Sequence, residues 1–125
     1  MSTRIELITP IITQGMRTLD EIRPLERADL QVTHTLISAG PASIESEFDE
    51  ALAVPDTIRR AIDAEHSGAN AILIDCMGDP GLHACREAVK IPVLGPCQTA
   101  LHTAGVLGHR FAFVTVLERL RAMLD

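Results

Sequence analysis

The residues with the clearest chemical potential form one short segment, DCMGDP at positions 75–80, directly after the apolar run AILI at positions 71–74. In an open parallel α/β sheet, ligands bind outside the carboxyl ends of the strands. A strand over the apolar run would place Cys76 at such an end. Gly78 would let the backbone turn sharply. Asp79 and Pro80 have the residue types of a helix N-cap and first helical position.

A cysteine in that position could transfer protons or attack a substrate. Backbone N–H groups of Met77, Gly78 and Asp79 could converge on the Cys76 sulfur, and a following helix N-terminus would lower the pKa of the thiol. The same donors could hold a carboxylate or a developing enolate oxygen. A thiolate there suits proton abstraction next to a carbonyl. The alternative is a buried, inert cysteine.

A chemical role is less strongly indicated for the other two cysteines. Cys85 falls within a predicted helix and is expected to be a packed structural thiol, whereas Cys97 follows another predicted strand and could face the same cleft. An odd number of cysteines argues against a disulfide framework. The sequence has no C-x₂-C pair, so zinc is not predicted. It also lacks the glycine-rich phosphate loops, so no dinucleotide or nucleoside triphosphate is predicted to bind, and it lacks the G-x-S-x-G elbow, which argues against a serine hydrolase.

The order of the elements predicts an α/β fold. Apolar runs predict strands, and amphipathic stretches between them predict helices. The predicted strands are residues 4–9, 30–37, 71–74, 92–94 and 111–116. The predicted helices are residues 15–23 (weakly), a helix capped by Asp56 and ending at positions 67–68, and residues 80–89, 97–107 and 117–124. This alternation predicts a mostly parallel sheet with helices on both faces.

Composition argues against nucleic acid and membranes as partners. The 125 residues fit one domain, and a net charge of −6 with a pI of about 5.3 argues against nucleic acid. The absence of Trp and Tyr, with three Phe, argues against base stacking. No basic amphipathic segment and no long apolar run indicates a membrane. The N-terminus lacks the features of a signal peptide, so the expected location is the cytoplasm.

Taken together, several segments resemble the aspartate/glutamate/hydantoin racemase superfamily, in particular its hydantoin and allantoin racemase branch. Two of them are specific in combination: GPASIESEFDEALAVP at positions 40–55 and IDCMGDPGLHACREAVKIPVLG at positions 74–95. LGHRFAFVTVLERL at positions 107–120 resembles the strand that opens the family's second lobe. The resemblance implies a flavodoxin-like parallel sheet forming the first lobe of a two-lobe fold.

By match to the family motif, Cys76 is the first of two cysteines that exchange the α-proton of the substrate without metal or cofactor. The resemblance also implies that Met77, Gly78 and Asp79 contact the substrate through backbone amides. It adds substrate contacts from the loops after the strands, and these map to Pro10, Thr13, Ser43 and Thr115. From the residues alone, Ser43 and Thr115 could equally be turn or cap residues.

The chain departs from the family in two ways. Its first loop reads TPIIT at positions 9–13, so the asparagines of the family are missing, and Gln98 and Thr99 stand where Glu-Ala is usual. Family members are about twice this long, and their second cysteine lies in the half that has no counterpart here. We therefore expect residues 1–108 to form the first lobe and residues 109–125 to begin the second.

The resemblance implies a cofactor-independent racemase of 5-substituted hydantoins or allantoin, here as an N-terminal half. A strand over residues 111–116 without its neighbours in the second lobe would expose an apolar edge, so we expect a homo-oligomer. Two alternatives stay open. One is a non-catalytic module that binds a small anion or amide. The other is a decarboxylase or isomerase of the same superfamily that uses a single thiol.

Overall fold

A computed structural model describes residues 2–118, which form a four-stranded parallel sheet with helices. The strand order is β2-β1-β3-β4, and every neighbouring pair is parallel. This order confirms the predicted flavodoxin-like α/β fold. The strands are β1 (Thr3–Thr9), β2 (Leu30–Leu36), β3 (Ala71–Ile74) and β4 (Val93–Leu94).

Three α-helices accompany the sheet: α1 (Glu47–His66), α2 (Leu82–Ala88) and α3 (Pro96–Leu107). The α1 helix packs against β1, β3 and α2, and α2 also contacts β4. The core lies between these helices and the sheet, where Ile8, Ile72 and Ile74 are fully or almost fully buried. Because side chains alternate along a strand, Ile8 faces this core while Thr9 points to the other face of the sheet.

The α1 helix is longer than predicted. It begins at Glu47 rather than near Asp56, and the Ser46 hydroxyl oxygen accepts the Asp49 N–H at 3.3 Å as its N-cap. The sequence prediction was wrong because Pro55, which usually ends or kinks a helix, lies inside this one. Asp56 is therefore an interior, buried residue rather than a cap.

The Asp56 carboxylate instead fixes the loop that follows β2. It accepts the backbone N–H groups of Ser38 at 2.5 Å and Ala39 at 3.3 Å. Arg59 and Arg60 pair with it at 3.5 and 3.9 Å. Burial by itself raises the pKa of Asp56, but the hydrogen bonds from Ser38 and Ala39 and the two guanidinium groups outweigh it and hold the pKa below its usual value. The loop is thus anchored to α1 by a charged group.

Two further helix predictions differ from the structure. Residues 15–23 form turns that lead into a short 3₁₀ helix, Arg23–Leu25, because Gly15 is left-handed and Pro24 removes a donor. The α2 helix begins at Leu82 with Gly81 as its N-cap, not at Asp79 and Pro80.

Residues 111–116 were predicted as a strand, and this prediction was wrong. They form no regular secondary structure and pair with no strand among residues 2–118, and Val114 and Val116 are 92% and 90% exposed. A strand requires a neighbour for its backbone N–H and C=O groups. The predicted helix over residues 117–124 lies mostly outside the described residues. Within residues 2–118, no helix has the length and apolar character needed to cross a bilayer.

Candidate active site

The loops after β1, β2 and β3 meet at the carboxyl end of the sheet and line an open cavity of about 270 Å³. Cys76 lies in its wall, two residues after the end of β3, at the strand end where the sequence predicted it. Two other predicted site residues, Pro10 and Ser43, line the same cavity. The remaining lining residues are Thr9, Ile11, Met16, Arg17, Ile44 and Asp75.

Thr13 is near these loops but does not line the cavity. Its hydroxyl donates to the Ala42 carbonyl at 2.7 Å, and the Ile12 N–H donates to the Pro41 carbonyl at 3.1 Å. These bonds tie the loop after β1 to the loop after β2. Ser43 points its hydroxyl to Glu45, at 2.7 Å.

A series of bonded polar side chains leads to Asp75, the residue that precedes Cys76. The Thr9 hydroxyl donates to Oδ2 of Asp75 at 3.0 Å and lies 2.9 Å from Nε2 of His34. Because a hydroxyl carries one proton, His34 is the donor to Thr9 through its Nε2–H tautomer. The Nε of Arg17 lies 2.8 Å from the same Asp75 oxygen. Asp75, the residue next to the candidate catalytic thiol, is thus held by Thr9 of β1 and by Arg17 of the segment after β1. Thr9 is in turn bonded to His34 of β2.

In the turn that carries Cys76, the hydrogen bonding of the backbone amides differs from the prediction. The Asp79 N–H donates to the Cys76 carbonyl at 2.9 Å and so closes the turn. Met77 is 43% exposed. The expected nest of three converging amides is therefore not formed, because the third amide is used inside the turn.

The thiol of Cys76 is not activated as the sequence suggested. Burial raises its pKa, the Gly78 N–H lowers it, and the carboxylates of Glu50, Asp75 and Asp79 raise it further. The predicted effect of a helix N-terminus is missing because α2 begins only at Leu82. The net direction is upward, so Cys76 is a protonated thiol at neutral pH.

Glu50 is a residue that sequence reasoning missed. It lines a recess of about 310 Å³ together with Gly78, Asp79 and Gln98, on the side of the Cys76 turn that faces α1 and α3. Burial raises the pKa of Glu50, and the charges of Glu47 and Asp79 raise it further. The unrecognised first half of α1 hid this carboxylate.

The Asp79 carboxylate caps α3 rather than α2, accepting the backbone N–H groups of Cys97 and Gln98. Cys97 is buried at the start of α3, and burial together with the Asp79 charge raises its pKa. Cys85 is fully buried, and burial raises its pKa to about 11. These two thiols are packed groups.

Thr115 lies beyond α3, in a segment without regular secondary structure, and does not line the cavity. Within the part of the chain that the structure describes, no group of three or more His, Cys, Asp and Glu residues is arranged to hold a metal ion.

Comparison with known proteins gives consistent results. A family model described as Asp/Glu/Hydantoin racemase matches residues 13–125. A hydantoin racemase of Pseudomonas sp. (strain NS671) is 40% identical over 124 residues, which cover 98% of this chain and 50% of that protein. A hydantoin racemase of Rhizobium meliloti is 41% identical over 121 residues, covering 92% of this chain and 48% of that protein.

Solved structures agree. Allantoin racemase from Klebsiella pneumoniae superposes with a TM-score of 0.89 at 31% identity, covering 98% of this chain and 51% of that one. Allantoin racemase from Pseudomonas fluorescens gives a TM-score of 0.84 at 23% identity, covering 98% of this chain and 52% of that one, a likeness of fold. The chain spans about half the length of the curated relatives it matches.

Proposed function

This chain belongs to the Asp/Glu/hydantoin racemase family, and from that premise we propose that it serves in the racemisation of 5-substituted hydantoins or allantoin, with Cys76 as one of two proton-transferring thiols. Residues 1–108 are proposed as the first lobe and residues 109–125 as the start of the second. The second thiol is expected in the part of the relatives that has no counterpart in this chain. We also propose a homo-oligomer, since residues 111–116 expose apolar side chains.

One observation carries the proposal: Cys76 follows β3 and faces a cavity lined by the loops after β1 and β2. A planar ring placed there would meet Pro10 and Ile44, with Ser43 and Arg17 as polar neighbours. The geometry thus favours Pro10 and Ser43 as substrate contacts. Contacts by Thr13, Met77, Gly78, Asp79 and Thr115 stay predictions.

The reaction needs one base and one acid on opposite faces of the substrate carbon. A thiolate on one face removes the proton from C5, and the electron pair of the C–H bond moves into the adjacent ring carbonyl to form an enolate. A thiol on the other face then gives its proton to C5, which regenerates the carbonyl with inverted configuration and leaves a thiolate. No redox change occurs, and the two sulfurs exchange roles.

The surroundings of Cys76 favour the acid role in the resting state. Its burial and the carboxylates of Glu50, Asp75 and Asp79 favour the protonated thiol. A protonated Cys76 delivers its proton to C5 and becomes the base for the reverse direction. A raised pKa is compatible with this role because the thiol must give up its proton to a carbon of much higher basicity.

The protonated state of Cys76 also supports a second candidate function. A lone thiol that adds a proton to one face of an enolate would serve a decarboxylase or isomerase of the same family. Such a site would exchange the C5 proton with retention of configuration, whereas the two-thiol reaction inverts it.

The test follows the optical activity of an enantiopure 5-alkyl hydantoin and of allantoin in the presence of the chain. Loss of optical activity above the buffer background, absent in Cys76→Ser and kept in Cys85→Ala, supports the proposed racemase. Deuterium uptake from D₂O without loss of optical activity, absent in Cys76→Ser, is the result expected of the lone thiol in this chain and supports proton transfer by Cys76 on one face. Neither change in the wild-type chain contradicts both functions for these 125 residues alone.

A further inference from the structure

One carboxylate joins the turn after β3 to the start of α3. Oδ1 of Asp79 accepts the Cys97 N–H at 2.9 Å, and Oδ2 accepts the Gln98 N–H at 2.7 Å. The first N–H groups of a helix have no partners within it. The N-cap residue of α3 is Gly95, which has no side chain to supply one. Asp79 therefore caps a helix that begins seventeen residues after it, at Pro96, by a charge-assisted pair of bonds.

Gly95 leaves the space that this carboxylate occupies. A Cβ added at Gly95 would lie 2.3 Å from Cγ of Asp79 and 2.4 and 2.6 Å from its two oxygens. No side chain can occupy position 95 while the Asp79 carboxylate stays in place. The two residues therefore form a matched pair across the interface between the turn and α3.

The same residue fixes the backbone of the Cys76 turn. Asp79 has a φ of +50°, which makes it the one non-glycine residue with positive φ among residues 2–118. This left-handed conformation is disfavoured for residues with a Cβ, although aspartate tolerates it better than most. Its N–H closes the turn on the Cys76 carbonyl, and its own carbonyl accepts the Leu82 N–H at 3.1 Å. The two bonds to α3 hold this conformation from outside the turn.

We propose that Asp79 is a positioning residue for Cys76: its bonds to α3 hold the conformation of the turn that carries the thiol. The catalytic meaning of this role rests on the proposed function, but the positioning of the thiol does not. The groups facing the thiol are Glu50 from α1 and Asp75 and Asp79 from its own segment. Asp79 thus affects Cys76 in two ways, through its charge and through the conformation it holds.

A substitution at Gly95 separates these two effects. Gly95→Ala displaces the Asp79 carboxylate but keeps its charge, so the turn loses its anchor while the negative charge stays near the thiol. The experiment measures the rate of Cys76 alkylation by iodoacetamide against pH, with peptide mass spectrometry to distinguish the three cysteines. The variants are Gly95→Ala, Asp79→Asn, Asp79→Ala and the double variant Asp79→Ala/Gly95→Ala. Gly105→Ala is the matched control, because a Cβ at this other glycine of α3 meets nothing within 4 Å.

We expect Gly95→Ala to slow Cys76 alkylation at neutral pH and to move its pH profile upward, because the Gly78 N–H no longer stabilises the thiolate. The double variant should behave like Asp79→Ala alone, because the carboxylate that the new methyl group would displace is gone. Asp79→Asn should be intermediate, since an amide oxygen accepts one of the two bonds. If Asp79→Ala and Gly95→Ala instead change the rate of Cys76 alkylation independently, so that their effects multiply in the double variant, the proposal is overturned. A lower Tm with an unchanged alkylation profile would also overturn it, because it would make Asp79 a helix cap only.

The measurement separates this role from the proposed function. If the wild-type chain exchanges the C5 proton of a hydantoin, Gly95→Ala should lower kcat about tenfold or more with little change in KM, since a displacement of about 1 Å can cost about 100-fold in rate. If the wild-type chain shows no exchange but the linked effects on alkylation hold, the proposed function fails for this chain and the positioning role stands. If exchange occurs and Gly95→Ala changes neither kcat nor the alkylation profile, the positioning role fails alone.

Discussion

The guanidinium of Arg17 lies 2.8 Å from Oδ2 of Asp75, the residue that immediately precedes Cys76. Both side chains are about one quarter exposed, so water screens this pair only in part. The pair places a positive charge next to one of the carboxylates that raise the pKa of Cys76. Arg17 therefore moderates the negative charge around the thiol.

Removing Arg17 should make the thiol less reactive. In Arg17→Gln, the Asp75 charge is no longer neutralised, so the pKa of Cys76 should rise further and its alkylation at neutral pH should slow. Arg27→Gln is the matched control, because the Arg27 pair with Asp29 is exposed to solvent. Peptide mass spectrometry of iodoacetamide-treated protein gives the rate at Cys76. A wild-type rate in Arg17→Gln would show that the pair has no influence on the thiol.

Removing Glu50 should have the opposite effect. Its carboxylate raises the pKa of Cys76, so Glu50→Gln should lower that pKa and speed alkylation at neutral pH. Glu47→Gln serves as the control, since Glu47 is near Glu50 but is not one of the charges that act on Cys76. Equal rates in the two variants would rule out Glu50 as a neighbour that tunes the thiol.

The Asp56 carboxylate should contribute to stability in a pH-dependent way. Asp56→Asn leaves the N–H groups of Ser38 and Ala39 without a charged acceptor, which should lower the free energy of unfolding by about 1–3 kcal/mol at pH 7. Because the folded pKa lies below the unfolded value, this contribution is complete above the unfolded pKa of about 3.9 and is lost as pH falls through the folded pKa.

Urea unfolding of wild type and Asp56→Asn at pH 7, and at steps below pH 4, checks this dependence. Asp63→Asn is the control, since Asp63 is an exposed carboxylate on the same helix. The difference between wild type and Asp56→Asn should shrink at the lowest pH. A constant difference across the range would contradict the assigned charge effect.

The two glycines at positions 81 and 105 should respond oppositely to alanine. Gly81 is left-handed, with φ of 72°, and a Cβ there would lie 3.2 Å from Val54. Gly81→Ala should therefore cost about 1–2 kcal/mol of unfolding free energy. Gly105→Ala, inside α3 with open space around it, should gain up to about 1 kcal/mol. Thermal unfolding of both variants decides the matter, and a more stable Gly81→Ala would refute the assigned conformation.

The location of Cys76 could be predicted because its signals are local. An apolar run of four residues and a glycine two residues after the cysteine indicate a strand and a turn. The parallel topology followed from the alternation of strands and helices. These patterns involve only neighbours in the sequence, so they can be recognised without knowledge of the tertiary structure.

The partners of Cys76 could not be predicted, because they arise from contacts distant in sequence. Gly15 and Pro24 prevented a correct prediction of the structure of the segment that carries Arg17. Pro55 prevented recognition of the first half of α1, which carries Glu50. The chemistry of Asp79 suggested a cap on the next helix, but its carboxylate reaches the helix after that one. Residues 111–116 have strand propensity, yet they find no partner strand within residues 2–118.

The most direct test of the account is solvent deuterium uptake at C5 of allantoin and of a 5-alkyl hydantoin, followed by proton NMR in D₂O with the buffer background subtracted. Cys76→Ser and Cys85→Ala are measured alongside the wild-type chain. We predict uptake above background in wild type and in Cys85→Ala, and none in Cys76→Ser. Uptake that persists at the wild-type rate in Cys76→Ser would contradict the central claim that the Cys76 thiol transfers the proton.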